Sequence, residues 1–153
     1  MNALVPDPID PAGLLAEFIA EAAGAGAIAS FTGLVRDLHD GERIEALWLD
    51  HHERITSQAI DDIAAEARTR FALSALAIVH RVGAVDAGQP IVFVAAAAAH
   101  RRAAFDAVDY MMDRLKTDAP LWKRETRSDG DHWIEARPGD HRDRARWEGV
   151  NDA

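Results

Sequence analysis

The chain has 153 residues, 48% of them apolar and 28% charged, with a net charge of −9 and no cysteine. That length and balance fit one globular domain, able to bury roughly 70% of its unfolded surface. The lack of cysteine excludes disulfides, thiolate metal sites and a cysteine nucleophile on this chain, and the acidic balance argues against nucleic acid as a partner.

Residues 1–7 lack the basic-then-apolar layout of a signal peptide, and no apolar run approaches the roughly 20 residues that span a bilayer, so a cytoplasmic location is expected. Residues 12–23 have helical spacing in Leu14, Leu15, Phe18 and Ile19, with Gly24 and Gly26 as a stop. Residues 27–36 read as a strand, Asp40-Gly41 as a hairpin turn, and residues 43–51 as the returning strand. A second helix is expected over 53–71, where Ile55, Ala59, Ile63 and Ala67 recur at helical spacing. Two apolar runs, 73–82 and 91–97, suit buried strands. A third helix covers about 100–117, ending before Pro120, and residues 121–127 and 132–136 form a closing hairpin around Ser128-Asp129-Gly130. The charged tail after Pro138 reads as a short helix with a frayed end. The order predicts an α+β domain spanning residues 1–153, with a mostly antiparallel sheet and helices packed to one side. A ferredoxin-like split βαβ sheet is the alternative.

Fifteen of the seventeen basic residues are arginines; the two lysines, Lys116 and Lys123, lie within eight residues of each other. An ammonium can lose its proton or act as a point charge in a pocket, which a guanidinium cannot. Residues 100–127 hold seven Arg/Lys against five Asp/Glu, a basic island in an acidic chain that suits a small anion better than a polymer. His100 and Arg101 open the third helix, where unpaired N–H groups attract anions, and the rows His100-Ala104-Val108 and Arg101-Phe105-Val108 place both on the buried side. A packed histidine and a plain ion pair would explain the same two residues. Alternation on the following strand sets Lys123, Glu125 and Arg127 on one face and Trp122, Arg124 and Thr126 on the other. If the lysines are neighbours, each depresses the other's pKa, leaving one able to act as acid, base or nucleophile near neutrality. The seven histidines show no metal-binding spacing.

Three segments carry a resemblance: Phe31-Thr32-Gly33-Leu34-Val35-Arg36, Ala99-His100-Arg101, and the continuous run from Met112 through Lys116, Pro120, Trp122 and Lys123 to Glu125. With Ile78-Val79-His80-Arg81-Val82-Gly83, Gly88-Gln89-Pro90 and Trp133-Ile134-Glu135-Ala136 in support, they resemble the catalytic (large) subunit family of molybdopterin synthase over about residues 25–147.

The resemblance implies a hammerhead-like α+β fold and a sulfurtransferase without metal or cofactor. It implies that cyclic pyranopterin monophosphate receives sulfur from a thiocarboxylate on the C-terminal Gly-Gly of a small ubiquitin-like carrier subunit, giving the dithiolene. It also implies a homodimer with one carrier docked at each end, a heterotetramer, with no nucleic-acid or membrane partner. On this reading Lys116 and Lys123 are catalytic. Leu34, Val35, Arg36, His100, Arg101, Arg124 and Glu125 would bind substrate. Arg137 matches a further basic position, and whether it serves its own cavity or reaches across the dimer stays open. The absence of cysteine agrees independently, because sulfur must then be imported. The rivals are a non-catalytic ferredoxin-like module binding a small anion, and an idle scaffold subunit.

Overall fold

The computed structural model describes residues 1–149, and the frayed end expected at residues 150–153 lies outside them. In chain order the elements are β1 (Asn2–Val5), α1 (Pro11–Glu21), β2 (Ala27–Leu34), β3 (Leu38–His39), β4 (Glu42–His51), α2 (Glu53–Arg70) and β5 (Ala75–Arg81). They continue as β6 (Gly83–Asp86), β7 (Pro90–Ala98), α3 (Arg101–Thr117), β8 (Leu121–Arg127), β9 (Gly130–Ile134) and α4 (Pro138–Ala145).

The strands divide between two sheets. One runs β1-β5-β7-β2; the other runs β3-β4-β8-β9, with β6 also paired to β4. All pairings are antiparallel except β1 with β5. The expected antiparallel character holds, but a single ferredoxin-like sheet does not form. The expected pairing of residues 27–36 with 43–51 does not form either. The Asp40-Gly41 turn closes only the two-residue β3 onto β4, while β2 pairs with β7. Asp40 and Gly41 both have positive φ, 52° and 83°, which suits a tight turn but says nothing of what lies beyond it.

β7 explains the first sheet. Its Val92, Val94, Ala96 and Ala98 face the core shared with α2 and α3, while Phe93, Ala95 and Ala97 face the layer beneath α1. A strand covered on both faces reads as a continuous apolar run rather than an alternating one. The helices therefore lie on both sides of this sheet, a correction to the one-sided arrangement expected. In α1, Pro11 occupies the first turn and Asp10 caps it, its Oδ1 accepting from the Ala12 N–H at 3.1 Å.

The face of α2 is rotated from the expected row, while on α3 the expected row through Ala104 and Val108 is buried and the adjacent row through Arg101 and Phe105 is not. In α2 the buried residues are Thr56, Ile60, Ile63, Ala64 and Ala67, and Ile55 is exposed. In α3 they include Ala104, Ala107, Val108, Met111 and Leu115, which leaves Arg101 and Phe105 outside. His100 is the N-cap of α3, with φ −135° and ψ 149°, so helical periodicity does not govern its direction.

The core cluster under α2 and α3 takes in Leu49 of β4 and Val85 of β6, which joins the second sheet to the first. Ile78 is fully buried at the centre of β5. An Ile78→Ala variant is expected to lose about 2–5 kcal/mol of stability through the cavity it leaves. A lower urea midpoint at unchanged slope is the measurement that checks it.

Candidate functional site

A cavity of about 480 Å³ opens between the sheets. Its walls are the end of β2 with the segment to Arg36, the last turns of α3, one face of β8, and the stretch from Ile134 to Asp140. Local chain geometry shapes the β2 wall. A Cβ on Gly33 would come within 2.7 Å of the Val92 side chain, and the register slips between Gly33 and Leu34. Val35 then bonds to the β6–β7 turn, its N–H donating to the Gln89 carbonyl at 3.0 Å while its own carbonyl accepts from Gly88 at 2.7 Å. Val35 is thereby buried, and Leu34 is left 56% exposed at the rim.

Lys116 and Lys123 both line this cavity. Lys116 closes α3, half exposed, with its Nζ 3.4 Å from Asp140 Oδ1. Lys123 lies deeper on β8, with Leu49 of β4 and Ile134 of β9 as its cross-strand neighbours. Burial pushes its pKa below the ordinary lysine value, and the positive charge of Lys116 pushes it further, partly offset by Asp140. Asp140 is held in turn. Burial raises its carboxyl, but the Arg137 backbone N–H, donating at 2.8 Å, and the Lys116 charge outweigh that and lower it.

Glu125 lines the cavity two residues beyond Lys123, as strand alternation expects, and is 7% exposed. Burial would raise its pKa, yet hydrogen bonds from His39 and Arg127 hold it below the ordinary carboxylate range. Arg36 and Arg137 complete the cationic lining.

The other three sequence candidates lie elsewhere. Arg124 sits on the opposite face of β8, its guanidinium carbon 5.8 Å from the ring centres of Trp48 and Trp133. These three are direct cross-strand neighbours, and Arg124 also pairs with Asp131. The alternation along β8 requires this placement; only the resemblance had put Arg124 beside the substrate. His100 and Arg101 are exposed at the start of α3 and do not line the cavity. Thus Leu34, Val35, Arg36, Lys116, Lys123, Glu125 and Arg137 come together within this chain.

The sequence reading assigned no role in the site to His39, His80 or Asp140, which all line the cavity. Asp140 carried a usable signal, since Pro138 and an acidic residue two positions on mark a helix start. His80 stands out as a polar residue inside an apolar strand. Its Nδ1 donates to the Arg81 carbonyl at 2.7 Å. Its pKa is pushed down to about 4, first by burial and then by the charge of Lys123, against the pull of that backbone bond. His39 had no local signal, because its partner Glu125 is 86 residues away. Among the described residues no cluster of His, Asp and Glu is placed to hold a metal ion, and no helix is long and apolar enough to cross a membrane.

Residues 4–118 match the family model described as MoaE protein. The chain belongs to the MoaE family. This MoaE chain is 47% identical to the molybdopterin synthase catalytic subunit of Caulobacter vibrioides over 145 residues, 95% of each chain. It is 45% identical to that of Pseudomonas aeruginosa over 139 residues, 91% of this chain and 93% of the relative. The solved molybdopterin biosynthesis MoaE protein of Burkholderia ambifaria has the same fold, with a TM-score of 0.82 at 40% identity and 97% of both chains covered.

Two predictions follow from these charges. Methylation with a ¹³C label gives only two lysine side-chain signals; replacing Lys116 by Gln is expected to raise the Lys123 pKa, because a like charge is removed. An unchanged Lys123 titration would contradict the coupling. For His80, the unfolded chain takes up a proton near pH 6.5 while the folded chain does not until about 4. Its contribution to stability is therefore lost as pH falls through that window, on the order of 3 kcal/mol in total. His80→Gln is expected to flatten the decline between pH 6.5 and 4 in urea unfolding, relative to the native chain.

Proposed function

We propose that this chain is the catalytic subunit of a molybdopterin synthase. It would transfer sulfur from the thiocarboxylated C-terminal Gly-Gly of a small ubiquitin-like carrier to cyclic pyranopterin monophosphate, forming the molybdopterin dithiolene. The observation that carries the reading is the convergence of the chain's only two lysines on one cavity, the deeper one desolvated. Membership of the MoaE family, with relatives named as molybdopterin synthase catalytic subunits, supports it. The word subunit itself implies an assembly, here a homodimer bearing one carrier on each copy. The same proposal takes residues 1–153 as one domain acting in the cytoplasm.

A dithiolene holds two sulfurs and each carrier brings one, so two carriers are consumed in turn; each time the carrier sulfur bonds to a side-chain carbon of the pterin, displacing oxygen. Water must then cleave the acyl–sulfur bond, leaving sulfur on the substrate and a carboxylate on the carrier. Negative charge gathers on the acyl oxygen in the second step and on the departing oxygen in the first. We assign Lys116, at the accessible side, to the acyl oxygen as a charge stabiliser and proton donor or acceptor. Lys123 serves the pterin side, where its depressed pKa lets it yield a proton more readily than an ordinary lysine. Arg36 and Arg137 are the phosphate donors; guanidinium pairs well with phosphate oxygens. Glu125 orders the basic wall, and the backbone around Leu34 and Val35 forms the remaining edge. His100, Arg101 and Arg124 are given no step.

Lys116→Arg and Lys123→Arg keep the charge but replace an ammonium that can give up its proton with a guanidinium that cannot. Each is expected to slow dithiolene formation from thiocarboxylated carrier and cyclic precursor by about 100-fold or more. Binding of the precursor should stay within several-fold, by calorimetry. A simple anion-binding module would tolerate both changes, so full activity in both variants would defeat the assignment.

A further inference from the structure

His39 belongs to no motif, yet it bridges two cavity residues that are distant in sequence. It lies on β3, whose register pairs it with Glu42 and sets its ring over β8. Its Nδ1 is 3.0 Å from both carboxylate oxygens of Glu125, and its Nε2 is 3.2 Å from Nη2 of Arg137. A guanidinium can only donate, so Nε2 accepts from Arg137 and the ring hydrogen sits on Nδ1, toward Glu125. Asp40 faces Nε2 at 3.6 Å, beyond hydrogen-bond reach, and its side chain is exposed. Arg127 also approaches Nδ1, at 3.1 Å, but it spends Nε and Nη2 on the Glu125 carboxylate at 3.1 and 2.7 Å. The order Glu125–His39–Arg137 thus gives each ring nitrogen a complementary partner.

We propose that His39 is a positioning residue, which, anchored by Glu125, fixes the Arg137 guanidinium on the cavity wall to receive the substrate phosphate. The inference rests on the sulfurtransferase reading for its substrate, though not for the contacts themselves. The Arg137 backbone is already held by Asp140, but its side chain is exposed and long. A free arginine loses rotamer freedom when it grips an anion; one already held loses less, so binding tightens. The effect belongs in substrate affinity rather than in the chemical step.

Two measurements on the full-length chain test this. The first is nitrogen NMR of the Arg137 guanidinium, which reads its rotation whether or not the protein turns over. Rotation is expected to be slow in the native chain, fast in His39→Ala, and slow again in His39→Gln. Glutamine can donate to Glu125 and accept from Arg137 as the imidazole does. The second is steady-state kinetics with thiocarboxylated carrier. His39→Ala should raise KM for the cyclic pterin phosphate about 10-fold with kcat within about 2-fold, and His39→Ala added to Arg137→Ala should cost no more than about 2-fold further, as expected for a residue acting through another. A purely structural His39 would instead lower the melting temperature and leave KM alone. Equal Arg137 rotation in native chain and His39→Ala overturns the proposal, as do KM losses that multiply in the double variant. Slow rotation in a native chain that makes no dithiolene would keep the link and sink the enzymatic reading instead.

Discussion

The two-sided burial of β7 is the constraint on which the rest depends. Because Phe93, Ala95 and Ala97 face α1 while Val92, Val94, Ala96 and Ala98 face α2 and α3, the strand ties three helices and two neighbouring strands to one plane. Its four consecutive alanines, Ala95 to Ala98, let both helical layers approach closely. Gly26 shows how tight this end is, since a Cβ there would sit 2.1 Å from the Ala99 carbonyl oxygen. With β7 fixed, β2 and α3 are fixed beside it, and so are Gly33, Arg36 and Lys116. The second sheet brings Lys123 and Glu125 from the other side, which makes the cavity a seam between two layers that share one core.

The seam has an electrostatic logic of its own. Lys123 is desolvated on a strand with an apolar neighbour on either side, and its counter-charge, Asp140, is shared with Lys116. Glu125, the buried carboxylate nearby, is occupied by His39 and Arg127 and so does not neutralise the lysine. The nearby imidazole of His80 is held without charge above about pH 4. The result is a cation with little compensation in an enclosed space, which favours an anionic visitor.

Much of the element pattern was legible in the sequence, because helices α1 to α3, the hairpin β8–β9 and the buried runs β5 and β7 are set by local periodicity and turns. The partnership of strands was not. Nothing near Ala27 announces pairing with Ala98, and the turn at Asp40 pointed to a hairpin that stops after two residues. β1 has four residues and joins β5 in parallel, a contact that no short motif encodes. The site divides along the same line. Lys116, Lys123 and Glu125 came from composition, alternation and resemblance; His39 came from none of these, because its contacts span the chain. Arg124 is the instructive case. Alternation alone placed it opposite Lys123, and the tryptophans either side of it, Trp48 and Trp133, were assembled by register across three strands.

The C-terminal segment is fastened at both ends and to little in between. Near its start Asp140 reaches Lys116 and Arg137 reaches His39; in the last turn of α4 Arg144 pairs with Asp118, and just past it Arg146 and the Trp147 indole N–H converge on Asp113 of α3. No strand of either sheet runs through it, and none of its residues from 138 to 145 is buried. It works as a strap drawn across the mouth of a finished vessel. Wear near the strap's start, at Arg137 and Asp140, therefore costs catalysis long before it costs folding, whereas its far end, where Trp147 packs on Phe71 and Tyr110, belongs to what keeps the vessel whole.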